Sequence, residues 1–140
     1  MTTFDHEAFW SARYRDIGDD YLFGTAPNRF LASQAASFGA GMRVLSVADG
    51  EGRNAVWLAE QGCQVTATEI SPVALEKAAK LASGRNVAVD FVQEDILNWD
   101  WPQEEFDAVV GIFIQFATPA ERPRQLAGMK QAVKPGGLLL

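Results

Sequence analysis

Cysteine and histidine are nearly absent from this sequence, which limits the chemistry it can support. Cys63 is the only cysteine and His6 the only histidine among 140 residues. A single cysteine excludes an internal disulfide and favours a reducing compartment. The sequence contains no Cys/His spacing typical of a metal site and no nucleophile with a base at a recognisable offset. We therefore expect no metal, assign no catalytic residue, and interpret His6 as a surface residue of a helix.

Positive charge and long apolar runs are also scarce. The 12 Lys and Arg residues are outnumbered by 18 Asp and Glu residues, which gives a formal net charge of -6 and a pI near 4.7. Nucleic-acid binding needs a basic surface, so the charge argues against it and favours a neutral or cationic small ligand. No apolar run has the length of a membrane span, and the N-terminus carries Asp5 and Glu7 instead of a signal peptide. We expect a cytoplasmic protein without membrane contact.

Aromatic residues, by contrast, are abundant at the start of the chain. The composition is otherwise typical of one globular domain, with 48% apolar and 21% charged residues. We predict a helix over 5–15 and a second helix opened by Pro27-Asn28 and closed by Gly39-Ala40-Gly41. The rings of this segment include Phe4, Phe9, Trp10, Tyr14, Tyr21, Phe23 and Phe30. Single rings are usually core, but as a group ahead of a glycine turn they indicate that residues 1–41 form a helical lid on a core of residues 42–140.

From residue 44 onward, apolar runs alternate with helical patterns. The predicted strands are 44–47, 64–68, 87–92, 108–113 and a fifth from Leu138 onward. The predicted helices are 53–61, Ser71-Pro72 to Gly84, and one that follows the capping box Thr118-Pro119-Ala120-Glu121 and is broken by Lys134-Pro135-Gly136-Gly137. Short connections between alternating strands and helices require parallel pairing with right-handed crossovers. The predicted fold class is α/β, a doubly wound, Rossmann-like, mostly parallel sheet of about five strands with helices on both faces and an N-terminal helical lid.

The ends of the first three predicted strands carry residues suited to one ligand. Gly50 and Gly52 permit a tight turn and the close approach of a ligand, and the helix after them directs free N–H groups toward an anionic group. Glu69 ends the second strand, where it is placed to accept hydrogen bonds from ribose hydroxyls, and Asp95 follows the third. Because strand ends share one edge in such a sheet, the sequence predicts an adenosine-containing ligand there.

This pattern is compatible with two cofactors that contain adenosine. Ile70 and Ile96, beside the two acidic residues, are placed to lie on either side of a flat base. The run Gly50-Glu51-Gly52-Arg53-Asn54-Ala55 matches the G-x-G-x-x-A turn of nicotinamide dinucleotide proteins. A nicotinamide-dependent oxidoreductase is therefore one hypothesis for the function.

The frame Ala48-Asp49-Gly50-Glu51-Gly52 supports the other cofactor. It resembles the G-x-G-x-G turn of class I S-adenosylmethionine-dependent methyltransferases, with the first glycine replaced by Ala48. Further runs resemble that family's motifs in order, namely residues 50–59, residues 65–71, Asp95 and Lys134-Pro135-Gly136-Gly137. The N-terminal runs 10–14 and 21–28 are similar, more narrowly, to the tellurite-resistance and thiopurine methyltransferase-like branch.

This resemblance implies S-adenosyl-L-methionine as the cofactor and assigns residues to it. Gly50 and Gly52 would line the methionine portion, Glu69 would hold the ribose, and Asp95 with Ile96 would recognise the adenine. The full set of implied cofactor-binding residues is Ala48, Gly50, Gly52, Asn54, Glu69, Ile70, Asp95, Ile96 and Phe113. The implied substrate and lid residues are Trp10, Tyr14, Tyr21, Phe23, Gln115 and Phe116.

The sequence also departs from the family pattern. Ser46 stands where the family usually has an acidic residue near the methionine ammonium, and Gln115 stands where this branch often has His. Family members continue with two more strands, so the core is expected to be C-terminally short and the fifth strand to form an outer edge that could pair with a second copy. We expect methyl transfer to a small-molecule acceptor, with a soft thiol, selenium or tellurium nucleophile as one candidate. A cofactor-binding module without catalysis is the alternative from another class.

Overall fold

The computed structural model describes residues 4–112, 114 and 117–140. Five α-helices and five β-strands alternate along most of this range. The helices are α1 (His6–Asp16), α2 (Arg29–Ser33), α3 (Arg53–Glu60), α4 (Pro72–Gly84) and α5 (Arg122–Ala132), with a short 3₁₀ turn at Ala35–Ser37. The strands are β1 (Arg43–Ser46), β2 (Gln64–Glu69), β3 (Asp90–Gln93), β4 (Phe106–Val110) and β5 (Val133–Leu139). None of the described helices has the length and apolarity needed to cross a membrane.

The five strands form one parallel sheet in the order β3-β2-β1-β4-β5. The chain therefore winds outward from β1 in one direction through β3 and then restarts on the other side at β4. The reversal between β1 and β4 is the switch point at which doubly wound sheets bind ligands. The predicted fold class is confirmed, and the glycine turn follows the central strand.

Two hydrophobic clusters cover the two faces of the sheet. On one face, Leu31 of α2 and Leu58 of α3 pack with Val44 and Val65 of the strands. On the other face, Met129 of α5 belongs to a separate cluster with strand residues. Helices thus lie on both faces, as predicted, and α1 packs on α4.

Side-chain caps fix where several helices begin. Asp5, Asn28 and Ser71 each accept a hydrogen bond from a backbone N–H in the first turn of the helix that follows them. The predicted capping box is present, because Thr118 N–H donates to Glu121 Oε1 (2.9 Å) and Glu121 N–H donates to Thr118 Oγ1 (3.2 Å). The signals at Asn28 and Ser71 therefore placed two helix starts well, whereas α5 begins at Arg122, four residues after Thr118.

Element ends were predicted less well than element types. The second helix stops after five residues, and the chain continues as the 3₁₀ turn, in which Ala35 is exposed. β3 begins three residues later than predicted and β4 two residues earlier. The predicted start of the fifth strand at Leu138 is wrong, because β5 already begins at Val133.

An irregularity in β5 explains that last error. Val133 pairs with Phe106 and Leu138 pairs with Ala108, so residues 134–137 lie opposite a single residue of β4. Gly136 has a φ of 77° within this bulge, a conformation that glycine adopts readily. The Pro-Gly signal thus marks a bulge within the strand, and among the described residues β5 pairs only with β4.

Candidate functional site

A cleft with a volume of about 160 Å³, partly open to solvent, lies at the carboxyl ends of β1, β2 and β3. The N-terminal segment contributes His6, Trp10, Tyr14 and Phe23 to its lining. The sheet and its turns contribute Ala48, Asp49, Gly50, Arg53, Asn54, Glu69, Ile70, Glu94, Asp95, Ile96, Leu97 and Ile112.

Most of the residues predicted from the sequence lie at this cleft. They are Ala48, Gly50, Asn54, Glu69, Ile70, Asp95, Ile96, Trp10, Tyr14 and Phe23. Gly52 and Tyr21 are not part of its lining. The predictions for Phe113, Gln115 and Phe116 fall outside the described residues.

Gly52 and Tyr21 serve contacts within the protein. A Cβ on Gly52 would lie 2.8 Å from the Cβ of Ala78, so this glycine allows α4 to approach the turn. The hydroxyl of Tyr21 donates to the backbone carbonyl of Lys77 in α4 (2.9 Å). That these two residues face the ligand stays a prediction.

Asp49 is the main residue that the sequence prediction missed. Its Oδ1 accepts hydrogen bonds from Ser46 Oγ (2.7 Å) and from the N–H of Ala55 in the first turn of α3 (3.1 Å). Its Oδ2 is shielded from solvent and accepts no hydrogen bond from the described residues. Burial raises the pKa of Asp49 to about 7, against the opposing effect of the Ser46 hydrogen bond. The anionic group expected at this helix N-terminus is thus supplied by the chain itself.

Glu69 connects three elements at the bottom of the cleft. The residue is 5% exposed. Its Oε1 accepts a hydrogen bond from Gly50 N–H (3.0 Å), and its Oε2 accepts one from Ser71 N–H (2.9 Å). Burial raises the pKa of Glu69, while backbone hydrogen bonds from Ser71, Gly50 and Ile70 oppose the shift.

Asp95 has a local structural role in addition to its place at the cleft. Its Oδ1 accepts from Leu97 N–H (3.0 Å), and its Oδ2 accepts from the side-chain amide of Asn98 (2.7 Å). These bonds hold the loop after β3 in a turn that presents the buried side chains of Ile96 and Leu97 at the cleft.

The N-terminal segment forms an aromatic wall of the cleft. Tyr14 is 4% exposed, and its hydroxyl oxygen lies 3.1 Å from the position that a Cβ on Gly50 would occupy. Burial, followed by the nearby Glu69 and Glu51 charges, raises the pKa of Tyr14 above its ordinary value, so its hydroxyl stays protonated. Trp10 stacks beside Tyr14 with ring centroids 6.0 Å apart. His6 also lines the cleft, so its interpretation as an outer surface residue is corrected.

Charge and hydrogen bonding at the turn favour a cation over an anion. Acidic side chains outnumber the single Arg53 among the charged residues of the lining. The N–H groups of Ala48 and Asp49 donate to the hydroxyl and the carbonyl of Thr68, and that of Gly50 donates to Glu69. A pyrophosphate needs such groups free. This arrangement disfavours a nicotinamide dinucleotide.

Fold and cleft together define a doubly wound α/β domain with a cleft at its switch point. The chain belongs to the methyltransferase domain family, since the family described as "Methyltransferase domain" matches residues 44–137. The chain is 30% identical over 124 residues to a demethylmenaquinone methyltransferase of Clavibacter sepedonicus, covering 89% of this chain and 48% of that protein. It is 32% identical over 132 residues to an uncharacterized methyltransferase of Geobacillus kaustophilus, covering 94% of this chain and 56% of that protein. The chain thus spans about half the length of these curated relatives.

Solved structures show the same fold. A methyltransferase from Thiobacillus denitrificans in complex with S-adenosyl-L-homocysteine superposes with a TM-score of 0.71 at 20% identity, covering 99% of this chain and 55% of that one. A TehB-like methyltransferase from Corynebacterium glutamicum has a TM-score of 0.70 at 21% identity, covering 94% and 69%. The predicted membership of a methyltransferase family is confirmed by the family match.

Proposed function

We propose that this chain binds S-adenosyl-L-methionine in the cleft and transfers its methyl group to a small-molecule acceptor. The observation that carries the proposal is Asp49 Oδ2, a buried carboxylate oxygen at the cleft that accepts no hydrogen bond from the described residues. Such an oxygen is costly unless a donor completes it. The ammonium of the cofactor's methionine portion is a donor of the right charge. Asp49 would do the work of the acidic residue that the family usually has at the position of Ser46.

Other residues of the cleft suit the remaining parts of the cofactor. The carboxylate of Glu69 at the cleft suits ribose hydroxyls, and the apolar side chains of Ile70, Ile96 and Leu97 suit the faces of an adenine. The bound cofactor supplies an activated methyl group on a sulfonium. The rings of Trp10 and Tyr14 suit that cation, an interaction worth about 0.5–2 kcal/mol.

The chain's own contribution to transfer is alignment and exclusion of water. A soft nucleophile needs no strong base, which agrees with the absence of an assigned catalytic base. A thiol, selenium or tellurium acceptor is therefore our first candidate, and the resemblance of the N-terminal runs to the tellurite-resistance branch supports it. The relatives named demethylmenaquinone methyltransferases support a second candidate, a quinone-type acceptor that the aromatic wall would accommodate.

A comparison of ligands and one variant tests the cofactor. S-adenosylhomocysteine should raise the melting temperature, and NADH should not. Asp49→Asn should lower the affinity for S-adenosylhomocysteine about tenfold or more, because it removes a charge-assisted hydrogen bond worth roughly 1.5–3 kcal/mol. Asp90→Asn is the matched control, since Asp90 is exposed at the opposite end of the parallel strands. A shift by NADH alone, or equal affinities for the two variants, would contradict the proposal.

Methyl turnover separates the enzyme from a binding module without catalysis. We expect turnover with a small thiol and labelled S-adenosyl-L-methionine. Binding without turnover, for the thiol and for a short-chain quinol alike, would favour the non-catalytic module. Cytoplasmic location and self-association through the edge of β5 are further parts of this proposal. Fractionation of expressing cells tests the first, and light scattering on the purified protein tests the second.

A further inference from the structure

A buried ion pair fastens the N-terminal segment to the core. Lys77 of α4 and Glu51 of the glycine turn lie with Nζ and Oε2 3.0 Å apart, and their side chains are 12% and 3% exposed. Neither residue lines the cleft. An ion pair this buried holds its geometry only when its remaining hydrogen-bonding groups are also satisfied.

The lysine meets that condition with groups of the N-terminal segment. Lys77 Nζ donates to the backbone carbonyls of Tyr14 (2.7 Å) and Asp20 (2.8 Å). Two of its three N–H donors are used in this way, and its contact with Glu51 Oε2 is an ion pair without a hydrogen bond. One side chain therefore fixes both the end of α1 and the loop after it.

The glutamate connects the same segment to the glycine turn. Glu51 Oε1 accepts a hydrogen bond from the N–H of Leu22 (2.6 Å), while Oε2 faces Lys77. Because Glu51 lies between Gly50 and Gly52, its backbone belongs to the turn beside the proposed cofactor site. The turn, α4 and the N-terminal loop are thus joined through two side chains.

What this pair holds in place is the aromatic wall. Tyr14 contacts Gly50 and stacks with Trp10, and Phe23 follows Leu22 directly along the chain. The two backbone groups held by the pair, at Tyr14 and Leu22, therefore adjoin the residues that form the wall. If these contacts are lost, the core can remain folded while the wall moves away from the turn.

We infer that Glu51 and Lys77 are positioning residues that hold the aromatic wall over the glycine turn and so couple the order of the N-terminal segment to cofactor binding. The inference rests on the proposed function only for the identity of the ligand. When only a fraction of the molecules has the wall in place, the apparent dissociation constant rises in inverse proportion to that fraction.

Lys77→Met tests the pair because it keeps the length of the side chain and removes the ammonium. Without ligand, amide hydrogen exchange over residues 17–24 should become about tenfold faster or more, while exchange over 44–47 of the central strand stays unchanged. The dissociation constant for S-adenosylhomocysteine, from titration calorimetry, should rise about tenfold. Lys80→Met is the control, since Lys80 lies on the same helix in an exposed pair with Glu76, and it should change neither quantity.

Glu51→Gln gives a second variant in case Lys77→Met does not fold. The amide keeps one oxygen for Leu22 N–H and removes the charge, so we expect the same two changes, smaller in size. Unchanged exchange over 17–24 in both variants would overturn the positioning role, and faster exchange with unchanged affinity would overturn the coupling. If wild type fails to bind S-adenosylhomocysteine, the proposed function fails, and the ligand-free exchange comparison still decides whether the pair holds the segment.

Discussion

If Asp49 binds the cofactor as proposed, the affinity for that cofactor should depend on pH near neutrality. Burial raises its pKa to about 7, so in the ligand-free protein the carboxyl group ionises as the pH rises through that value. An ammonium binds the ionised form, so the affinity for S-adenosylhomocysteine should rise as the pH rises through about 7. Calorimetric titrations at about pH 6, 7 and 8 check this. Asp49→Asn should show weaker binding and no such rise, and an equal pH dependence in both proteins would contradict the assignment.

The same residue gives the opposite trend for stability without ligand. Its pKa is raised from an ordinary 3.8 to about 7, so the folded state holds this proton more tightly than the unfolded state does. The resulting stabilisation is fully present below about pH 4 and is lost as the pH rises through about 7. Asp49→Asn should therefore raise the free energy of unfolding at about pH 8 relative to wild type and lose that advantage at about pH 4, as denaturant titrations would show.

Single residues show where reasoning from the sequence succeeded and where it stopped. Glu69 was placed at the cleft because strand ends meet at one edge of a parallel sheet, which topology alone decides. The close approach of Gly52 to Ala78 was not predicted, because it depends on how α4 packs on the turn, which no local pattern specifies. Asp49 was missed. The signal that could have found it is Ser46, which stands where the family usually has an acidic residue, with the carboxylate of Asp49 three residues further along the chain.

Glu69 joins the turn after β1, the end of β2 and the start of α4. Glu69→Ala removes the acceptors for Gly50 N–H and Ser71 N–H and leaves two buried donors unsatisfied. Each unsatisfied donor costs about 1–3 kcal/mol, so the free energy of unfolding should fall by several kcal/mol even without ligand. Urea denaturation measures this, with the exposed Glu76→Ala as control. If the variant is as stable as wild type, the two hydrogen bonds do not support the turn as described.

The type of each helix and strand was predicted better than the residues at which it begins and ends. The Ser71 cap and the Thr118/Glu121 box are local signals, and the structure contains the corresponding hydrogen bonds. β5 was misjudged because Pro135 and Gly136 usually end regular structure, whereas here pairing on both sides of them, at Val133 and Leu138, keeps one strand. Pairing across a bulge is a tertiary effect, and propensity cannot anticipate it.

At the scale of the whole molecule, the sheet leaves β5 with a strand neighbour on one side only among the described residues. The bulge at 134–137, with Lys134 and Pro135, protects the first half of this edge. The last residues have no such protection, and Leu139 is 38% exposed. The unprotected edge is therefore shorter than the sequence suggested, so association through it should be weak.

We predict that the chain associates at high concentration by pairing of this edge with the same edge of a second copy. Light scattering over a dilution series should show a mass that rises above the monomer value with concentration. Leu139→Lys should abolish the rise, because a charge on an edge strand opposes pairing, while Leu126→Lys, at an exposed leucine of α5 that is 47% accessible, should not. A monomer mass at every concentration, or equal association of both variants, would mean that the β5 edge does not drive self-association. The net charge of -6 opposes association, so added salt should strengthen it by screening that repulsion.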